Sequence, residues 1–250
     1  MQRHTPTPIF GNNDDRGTKI VKVKVCGIAT LKDLELAIVA GADAVGFLVH
    51  RNEGEGSSVP LQHRLTWRAA RELVSAVPGN VTSVLLIHTS NPDVIAELCQ
   101  QINPSAIQIQ TNVSDSDLAV VKTQFPNIGV IKTVHVYPDS SIDEVVGLAE
   151  MHFASGIISA INLDSREKRT SGRSGGTGVT HNWNISASVV KRVGTGTVIL
   201  AGGLDSDNVR RAVESVRPHA VDVMTGVEEV RGVKSQQKLE SFFAALRRDQ

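Results

Sequence analysis

The amino-acid sequence predicts a single (β/α)8 TIM barrel, an α/β fold of parallel strands that are each followed by a helix. From Val21 onward, short β-branched runs typical of strands alternate with longer stretches in which apolar residues recur at helical spacing. Eight such units fit into about 230 residues, close to the ~250 residues typical of this barrel. The alternative is a doubly wound open sheet, but its G-x-G-x-x-G signature is missing after the first strand.

The predicted strands are apolar runs rich in valine, isoleucine and leucine. The first is the alternating stretch VKVKVCG, which ends on Cys26 and Gly27. The later ones include VTSVLLIH, GVIKTVHV and TVILAGGL, and their apolar content suits strands that are buried on both faces. In chain order, we predict strands at 21–27, 44–50, 81–88, 106–110, 129–136, 156–164, 197–204 and 220–228.

Each predicted strand is followed by a helical pattern. In the first helix, Leu31 and Leu34 fall on one face, and in the third, Asn91 and Pro92 suit the N-cap and the first helical position. We predict helices at 31–41, 66–77, 91–102, 114–125, 140–153, 183–193, 206–216 and 235–249.

Composition divides the chain into a tail and one catalytic domain. Residues 1–18 are rich in Thr, Pro, Asn, Asp and Gly and predict a flexible N-terminal tail, whereas 19–250 form the predicted barrel. The start of the chain has no apolar core of a secretory signal. No apolar run approaches the roughly 18 residues of a membrane span. We therefore expect a cytoplasmic protein without a membrane partner.

Charge and cysteine content limit the function further. The formal net charge is zero, with 26 basic and 26 acidic residues. The chain lacks the basic runs interleaved with aromatic residues that are typical of nucleic-acid binding, so a nucleic-acid partner is not expected. The chain's only cysteines, Cys26 and Cys99, suit a reducing compartment. We expect Cys99, within a helical pattern, to serve packing. A monomer or a homodimer is expected.

Small residues cluster after the last predicted strands and point to a phosphate site. Barrel enzymes place their sites at the carboxyl ends of the strands, and phosphate is often held there by the loops after the seventh and eighth strands. Glycines let backbone N–H groups approach an anion closely. The predicted phosphate-binding residues are Gly176, Thr177, Gly178, Gly202, Gly203, Thr225 and Gly226.

Two chemically versatile side chains stand at predicted strand ends. Cys26 closes the first strand, where it is either a small buried hydrophobe or a base or nucleophile. Asp164 closes the sixth strand, where it is either a cap or a catalytic acid. Strand ends alone leave these alternatives open.

The order of motifs resembles one known family. VCGIATLKDLELAIVAGADAVGFLV is similar to the opening of phosphoribosylanthranilate isomerases, which begin with K-x-C-G-I-T and continue through A-G-A-D-A-x-G-F. Later pieces match in the same order: LD at 163–164, GGTG at 175–178, Trp183, AGGLDSDNV at 201–209 and VDVMTGVEEVRGVK at 221–234. The likeness runs from Val21 to the C-terminus.

The resemblance implies a reaction and the groups that perform it. The family catalyses an Amadori rearrangement of phosphoribosylanthranilate, an aminoaldose, to the corresponding 1-amino-ketose, without metal or organic cofactor. It implies Cys26 as general base and Asp164 as general acid. A thiol is mostly protonated at neutral pH, so Cys26 is expected to lie in surroundings that favour the thiolate.

The chain departs from the family pattern where the substrate is expected to bind. The family's Q-L-H-G is replaced by Gln108-Ile109-Gln110-Thr111, so Gln110 stands where the family has a histidine. The S-x-R motif whose arginine meets the anthranilate carboxylate is absent from the loop after the second strand. Arg64 is the nearest candidate and Arg51 the second. Asp222, on the eighth strand, is a further candidate pocket residue.

Three alternatives remain open on the sequence alone. The same acid–base pair can act on a different phosphorylated aminosugar. Imidazoles at the ends of strands can bind a transition metal, for which His50, His88 and His135 are candidates, although no H-x-H or H-E-x-x-H spacing supports them. A non-catalytic phosphosugar-binding barrel is the third, but such a protein needs neither Cys26 nor Asp164.

Overall fold

The computed structural model describes residues 7–10, 21–49, 61–166 and 180–247. It confirms the (β/α)8 barrel. Eight parallel strands close into one ring, in which the first strand, Lys22–Val25, pairs both with the second, Ala44–Val49, and with the last, Ala220–Val223. Closure leaves no open edge among these strands, so the open-sheet alternative is excluded.

The barrel strands lie close to their predicted positions. They are β1 Lys22–Val25, β2 Ala44–Val49, β4 Thr82–Ile87, β5 Ala106–Ile109, β6 Gly129–Val136, β7 Ala160–Ser165, β8 Thr197–Leu200 and β9 Ala220–Val223. Three short strands were not predicted: β3, Arg64–Leu65, which pairs with β2, and the antiparallel pair β10, Glu228–Val230, and β11, Val233–Lys234.

A helix follows each barrel strand, as predicted, and most of these helices begin with a capping side chain. Thr30, Thr66, Asn91, Ser114, Ser141 and Asn182 each accept a hydrogen bond from a backbone N–H in the first turn. The helices are α1 Leu31–Ala40, α2 Trp67–Ser75, α3 Pro92–Ile102, α4 Asp115–Gln124, α5 Ile142–Ala154, α6 Trp183–Val193, α7 Val209–Val216 and α8 Gln236–Arg247.

The barrel interior is apolar in its lower part and polar towards the carboxyl ends of the strands. The lower part is lined by small and aliphatic side chains of alternate strand positions, including Ala44, Val84, Ala106, Ile131, Ala160, Ile199 and Ala220. Above them lie the buried polar side chains Lys24, Gln108, Thr133, Asn162 and Asp222. The polar layer forms the floor of the upper end, where the candidate site lies.

A short N-terminal segment, residues 7–10, covers the lower end of the barrel. The Ile9 side chain is 4 % exposed and belongs to the interior apolar cluster. Its carbonyl oxygen accepts a hydrogen bond of 2.6 Å from the hydroxyl of Thr82. Gly129 leaves room for the Ile9 side chain, because a Cβ at position 129 would lie 2.5 Å from Ile9 Cδ1. The boundary of the predicted tail stays a prediction, since residues 1–6 and 11–20 lie outside the described ranges.

Within the described ranges, no helix has the length and apolar character needed to cross a membrane.

We expect Ile9→Ala to lower the free energy of unfolding by about 2–5 kcal/mol, because it empties space that the interior alanines cannot fill. Denaturant unfolding measures this change. Val39→Ala is the control, since Val39 is 86 % exposed on α1, and its effect should stay within about 0.5 kcal/mol. Equal, small effects of both substitutions would show that residues 7–10 do not pack against the barrel in solution.

Candidate active site

One pocket opens at the carboxyl ends of the barrel strands. It unites the predicted residues Cys26, Asp164, Gln110 and Asp222 with the loops after β8 and β9. Active sites of this fold lie at the same end. The full lining is Cys26, Leu48, Leu86, His88, Gln108, Gln110, Asn162, Asp164, Ala201, Gly202, Gly203, Leu204, Asp222, Met224 and Thr225.

Cys26 follows the last residue of β1 and faces the barrel interior. Its backbone N–H donates to the carbonyl of Val223 at 2.8 Å, which extends the pairing of β1 with β9 by one residue. A Cβ at Gly46 would lie 2.9 Å from Cys26 Sγ and 3.2 Å from Lys24 Nζ. The thiol and the ammonium group therefore converge over the bare backbone of Gly46.

Lys24 and Asp222 form an ion pair in the pocket floor. The two residues are register partners on adjacent strands, so their side chains leave the sheet on the same face. Lys24 Nζ donates to both carboxylate oxygens of Asp222, at 3.0 and 2.9 Å, and the Lys24 side chain is fully buried. Although burial lowers it, Asp222 raises the pKa of Lys24 above its usual value, so the lysine stays protonated.

The surroundings of Cys26 do not favour the thiolate overall. Burial, together with repulsion by Asp222, raises the pKa of the Cys26 thiol to about 11, although Lys24 and Lys234 act in the opposite direction. The sequence predicted a thiolate-favouring site. The cations are present, but desolvation outweighs them because a barrel interior excludes water.

Asp164 is shifted in the direction that suits an acid. Burial, together with repulsion by Asp222, raises the pKa of its carboxyl group to about 7, although Lys24 and Arg166 oppose the shift. A large fraction of Asp164 is therefore protonated at neutral pH. The pocket thus holds a proton donor on β7 and a thiol at the end of β1.

The loops after β8 and β9 press against each other at one side of the pocket. Gly202 and Gly203 have positive φ of 89° and 64°, which side chains disfavour. A Cβ at Gly226 would lie 2.0 Å from the Leu204 carbonyl oxygen. Glycine at position 226 therefore lets the two loops lie in direct contact. The predicted residues Gly176, Thr177 and Gly178 lie outside the described residues.

The opposite side of the mouth is formed by imidazole and guanidinium groups. Burial, together with the positive charge of Arg166, lowers the pKa of both His88 and His135 to about 4. Arg64 also acts on His88, which places this predicted residue near the mouth. Both imidazoles are neutral at physiological pH, and the fixed positive charge there is that of the arginines.

Several amide oxygens in the pocket are buried without a hydrogen-bond partner among the described residues. They belong to Gln108, Gln110 and Asn162. Unpaired buried acceptors cost free energy unless a donor reaches them. These amides can therefore receive hydroxyl groups of a bound molecule.

In the described part of the chain, no three His, Cys, Asp or Glu side chains are grouped so that they could hold a metal ion. His88 and His135 do approach each other at the mouth, since His88 lowers the pKa of His135. His50, the third residue of the metal hypothesis, lies outside the described residues.

The interior lysine is the main site residue that sequence reasoning missed. Lys24 is two positions before Cys26 in a strand, so both side chains leave on the same face. That alternation was visible in VKVKVCG, but the partner Asp222 lies 198 residues away. Arg166 was also not assigned to the pocket, because it directly follows β7 in a loop whose course the sequence does not reveal.

Comparison with known proteins gives a consistent result. Residues 23–245 match the model of the N-(5'-phosphoribosyl)anthranilate (PRA) isomerase family. The chain is 35 % identical over 229 residues to the N-(5'-phosphoribosyl)anthranilate isomerase of Methanocella arvoryzae, covering 91 % of this chain and 99 % of the relative.

Solved structures of the same family superpose on this barrel. One is a phosphoribosyl anthranilate isomerase in complex with reduced 1-(o-carboxyphenylamino)-1-deoxyribulose 5-phosphate, with TM-score 0.70 and 25 % identity, covering 91 % of this chain and 98 % of that one. Another is a monomeric variant of the dimeric enzyme from Thermotoga maritima, with TM-score 0.68, 25 % identity and the same coverage of 91 % and 98 %.

We expect the rate of Cys26 alkylation by iodoacetamide to rise with pH and to reach half of its maximum at about pH 11. The thiolate is the reacting form, and burial keeps it scarce at lower pH. Measured in a Cys99→Ala background, the rate reports Cys26 alone. A midpoint below that of an unperturbed thiol would mean that Lys24 and Lys234 outweigh desolvation.

Proposed function

The chain belongs to the N-(5'-phosphoribosyl)anthranilate isomerase family, and from this premise we infer that it converts phosphoribosylanthranilate to 1-(2-carboxyphenylamino)-1-deoxyribulose 5-phosphate in tryptophan biosynthesis. The reaction is an internal oxidation–reduction of the sugar, from aldose to ketose. The observation that carries this conclusion is that one pocket contains both the Cys26 thiol and the Asp164 carboxyl group, whose pKa is raised.

Cys26 and Asp164 are proposed as the general base and the general acid. Asp164 donates its proton to the ribose ring oxygen, the C1–O bond breaks, and the nitrogen lone pair forms a C=N bond. The Cys26 thiolate then takes the C2 proton, and the C–H electron pair forms a C1=C2 bond while the C=N pair returns to nitrogen. The resulting enolamine tautomerises to the ketone, so no oxidant or reductant is consumed.

The catalytic protonation state is a minor form of the free pocket. Because the pKa of Cys26 is about 11 and that of Asp164 about 7, a single proton shared by the two groups resides mostly on sulfur. Catalysis needs it on Asp164. Interactions that favour the thiolate therefore act directly on the rate.

We propose that the substrate phosphate lies between the loops after β8 and β9. The close approach of Gly226 to Leu204, and the left-handed conformations of Gly202 and Gly203, support this placement. Thr225 begins a 3-10 turn beside them and lines the pocket. Gly176, Thr177 and Gly178 complete the proposed site by sequence. Ribose hydroxyls would donate to the free amide oxygens of Gln108, Gln110 and Asn162.

Arg64 is the proposed partner of the anthranilate carboxylate. It begins β3, which pairs with the upper end of β2 at Leu48. The effect of Arg64 on His88 supports a position at the mouth, opposite the proposed phosphate site. A guanidinium group can hold a carboxylate with two parallel hydrogen bonds. Arg64 would thereby replace the arginine of the missing S-x-R motif.

We also propose a location and an assembly state. Two free cysteines, Cys26 and Cys99, are compatible with a reducing cytoplasm. A homodimer or a monomer is proposed, since the related T. maritima enzyme is described as dimeric and has been obtained as monomers.

We expect Cys26→Ser and Asp164→Asn each to lower kcat/KM for phosphoribosylanthranilate by about 10²–10⁴-fold, the usual contribution of a positioned acid or base. The substrate is generated in place and followed by the loss of its fluorescence. Cys99→Ala is the matched control and should stay near parental activity, because Cys99 packs within α3. A parent protein that binds a phosphosugar without turning over this substrate would refute the assignment.

We expect Arg64→Gln to raise KM by about tenfold with a smaller change in kcat, because it removes a charge-assisted contact to the carboxylate. Arg71→Gln on α2 removes an exposed arginine from the same region of the chain and should leave KM unchanged. An unchanged KM in Arg64→Gln would assign carboxylate recognition elsewhere in the mouth.

A further inference from the structure

Lys24 is a buried charge beneath the reacting groups that the proposed steps leave without a role. Its side chain is fully buried, and its described partners are Asp222 and the Cys26 thiol. A buried lysine is costly to keep charged. Its position directly below Cys26 suggests that the charge serves the thiol.

The ammonium group has one donor left for sulfur. It carries three N–H donors and no acceptor. Asp222 accepts from it through both oxygens, at 3.0 and 2.9 Å. Cys26 Sγ and Lys24 Nζ both lie within contact distance of one point above Gly46, at 2.9 and 3.2 Å. Lys24 and Cys26 interact through a side-chain hydrogen bond, and the third N–H is the donor available for it.

The charges that act on Cys26 come from three sides. Lys24 lies on β1 and Lys234 on β11, and both favour the thiolate, whereas Asp222 on β9 opposes it. From the adjoining strands, β2 and β4, the groups that face the same point are Gly46 and the apolar Leu86. Lys234 is already engaged by the Glu228 carboxylate at 2.9 Å and the Met224 carbonyl at 3.2 Å.

We propose that Lys24 is a positioning residue that stabilises the Cys26 thiolate during the rearrangement, with Asp222 holding the ammonium group charged and aimed at the sulfur atom. The proposal rests on the proposed function and extends it from the acid–base pair to the group that makes the base available. Lys24 lies below the pocket and does not line it.

The same ion pair also acts on the acid. Asp222 raises the pKa of Asp164 and Lys24 lowers it. A proton that moves from Cys26 to Asp164 leaves negative charge at the sulfur, beside Lys24. Within the pair, Lys24 favours the thiolate at Cys26 and Asp222 favours the protonated form of Asp164, the two features of the state that catalysis needs.

The test compares Lys24→Met, Asp222→Asn and the double variant Lys24→Met/Asp222→Asn, all with Cys99→Ala. The first readout is the iodoacetamide rate of Cys26 at about pH 8, which follows the thiolate fraction. We expect Lys24→Met to lower this rate by about 10–100-fold, the range for a lost charged hydrogen bond. Asp222→Asn should also lower it, because the carboxylate that holds the ammonium group charged and aimed at the sulfur atom is lost.

Turnover provides the second readout. We expect kcat of Lys24→Met to fall by about 10–100-fold while KM changes little, since Lys24 does not touch the substrate. The double variant contains no unpaired buried charge. It should keep the low alkylation rate and the low kcat if Lys24 acts on sulfur. Recovery of both values in the double variant would overturn the proposal and leave Lys24 as only the structural partner of Asp222.

Lys22→Met is the matched control. Lys22 is on the same strand and pairs with Asp43 at 3.0 Å, so the substitution also breaks an ion pair, but away from the pocket. It should leave the alkylation rate unchanged. If the Lys24 variants fail to fold, Asp222→Asn still decides, because it retains Lys24. An equal or higher alkylation rate in that variant contradicts the proposal.

The alkylation readout needs no substrate, so it separates this proposal from the proposed function. A parent protein without turnover, but with the expected alkylation changes, would refute the isomerase assignment and retain the role of Lys24. Normal turnover with unchanged alkylation in all variants would support the isomerase assignment and refute the role of Lys24.

Discussion

The ion pair between Lys24 and Asp222 is the interaction on which the upper half of the barrel depends. It joins the first barrel strand to the last at the seam where the ring closes, with both carboxylate oxygens bound to one ammonium group. Two charges in a water-poor interior are tolerated only when their hydrogen bonds are satisfied. Its place in the floor lets the pair act on the Cys26 thiol and the Asp164 carboxyl group at once.

Burial shapes the chemistry of the pocket as much as charge does. It raises the pKa of both Cys26 and Asp164 and lowers that of His88. Each shift favours the uncharged form of the group. A neutral acid is useful as it stands, whereas a neutral thiol is not yet a base. In the proposed roles, Asp164 is already in the protonated form that an acid needs, whereas Cys26 depends on a nearby cation to become a base.

The lower end of the barrel is built for packing, whereas the upper end contains the candidate active site. At the lower end, Ile9 closes an interior of alanine and other small or aliphatic side chains. At the upper end, polar side chains, narrow glycine loops and cationic residues surround an open pocket. This division is typical of the fold, in which conserved chemistry sits at one face and packing at the other. A glycine makes room for a neighbouring side chain at each end: Gly129 for Ile9 at the lower end and Gly46 for Cys26 at the upper end.

Local pattern sufficed for much of the fold and pointed to the two side chains proposed as acid and base. Alternating strand and helix periodicity predicted the eight repeating units, and strand ends pointed to Cys26 and Asp164, because parallel strands present their carboxyl ends on one side. The motif order predicted the family. These properties reside in short stretches, where neighbouring residues determine the outcome.

Tertiary structure alone decided the pairings and the electrostatics. Lys24 and Asp222 meet only because the barrel closes between its first and last strands. Ile9 reaches Gly129 across more than a hundred residues of chain. The balance that leaves Cys26 protonated depends on how completely the closed barrel excludes water. Sequence determines which groups are available, whereas desolvation and long-range charge depend on distances that only the folded chain sets.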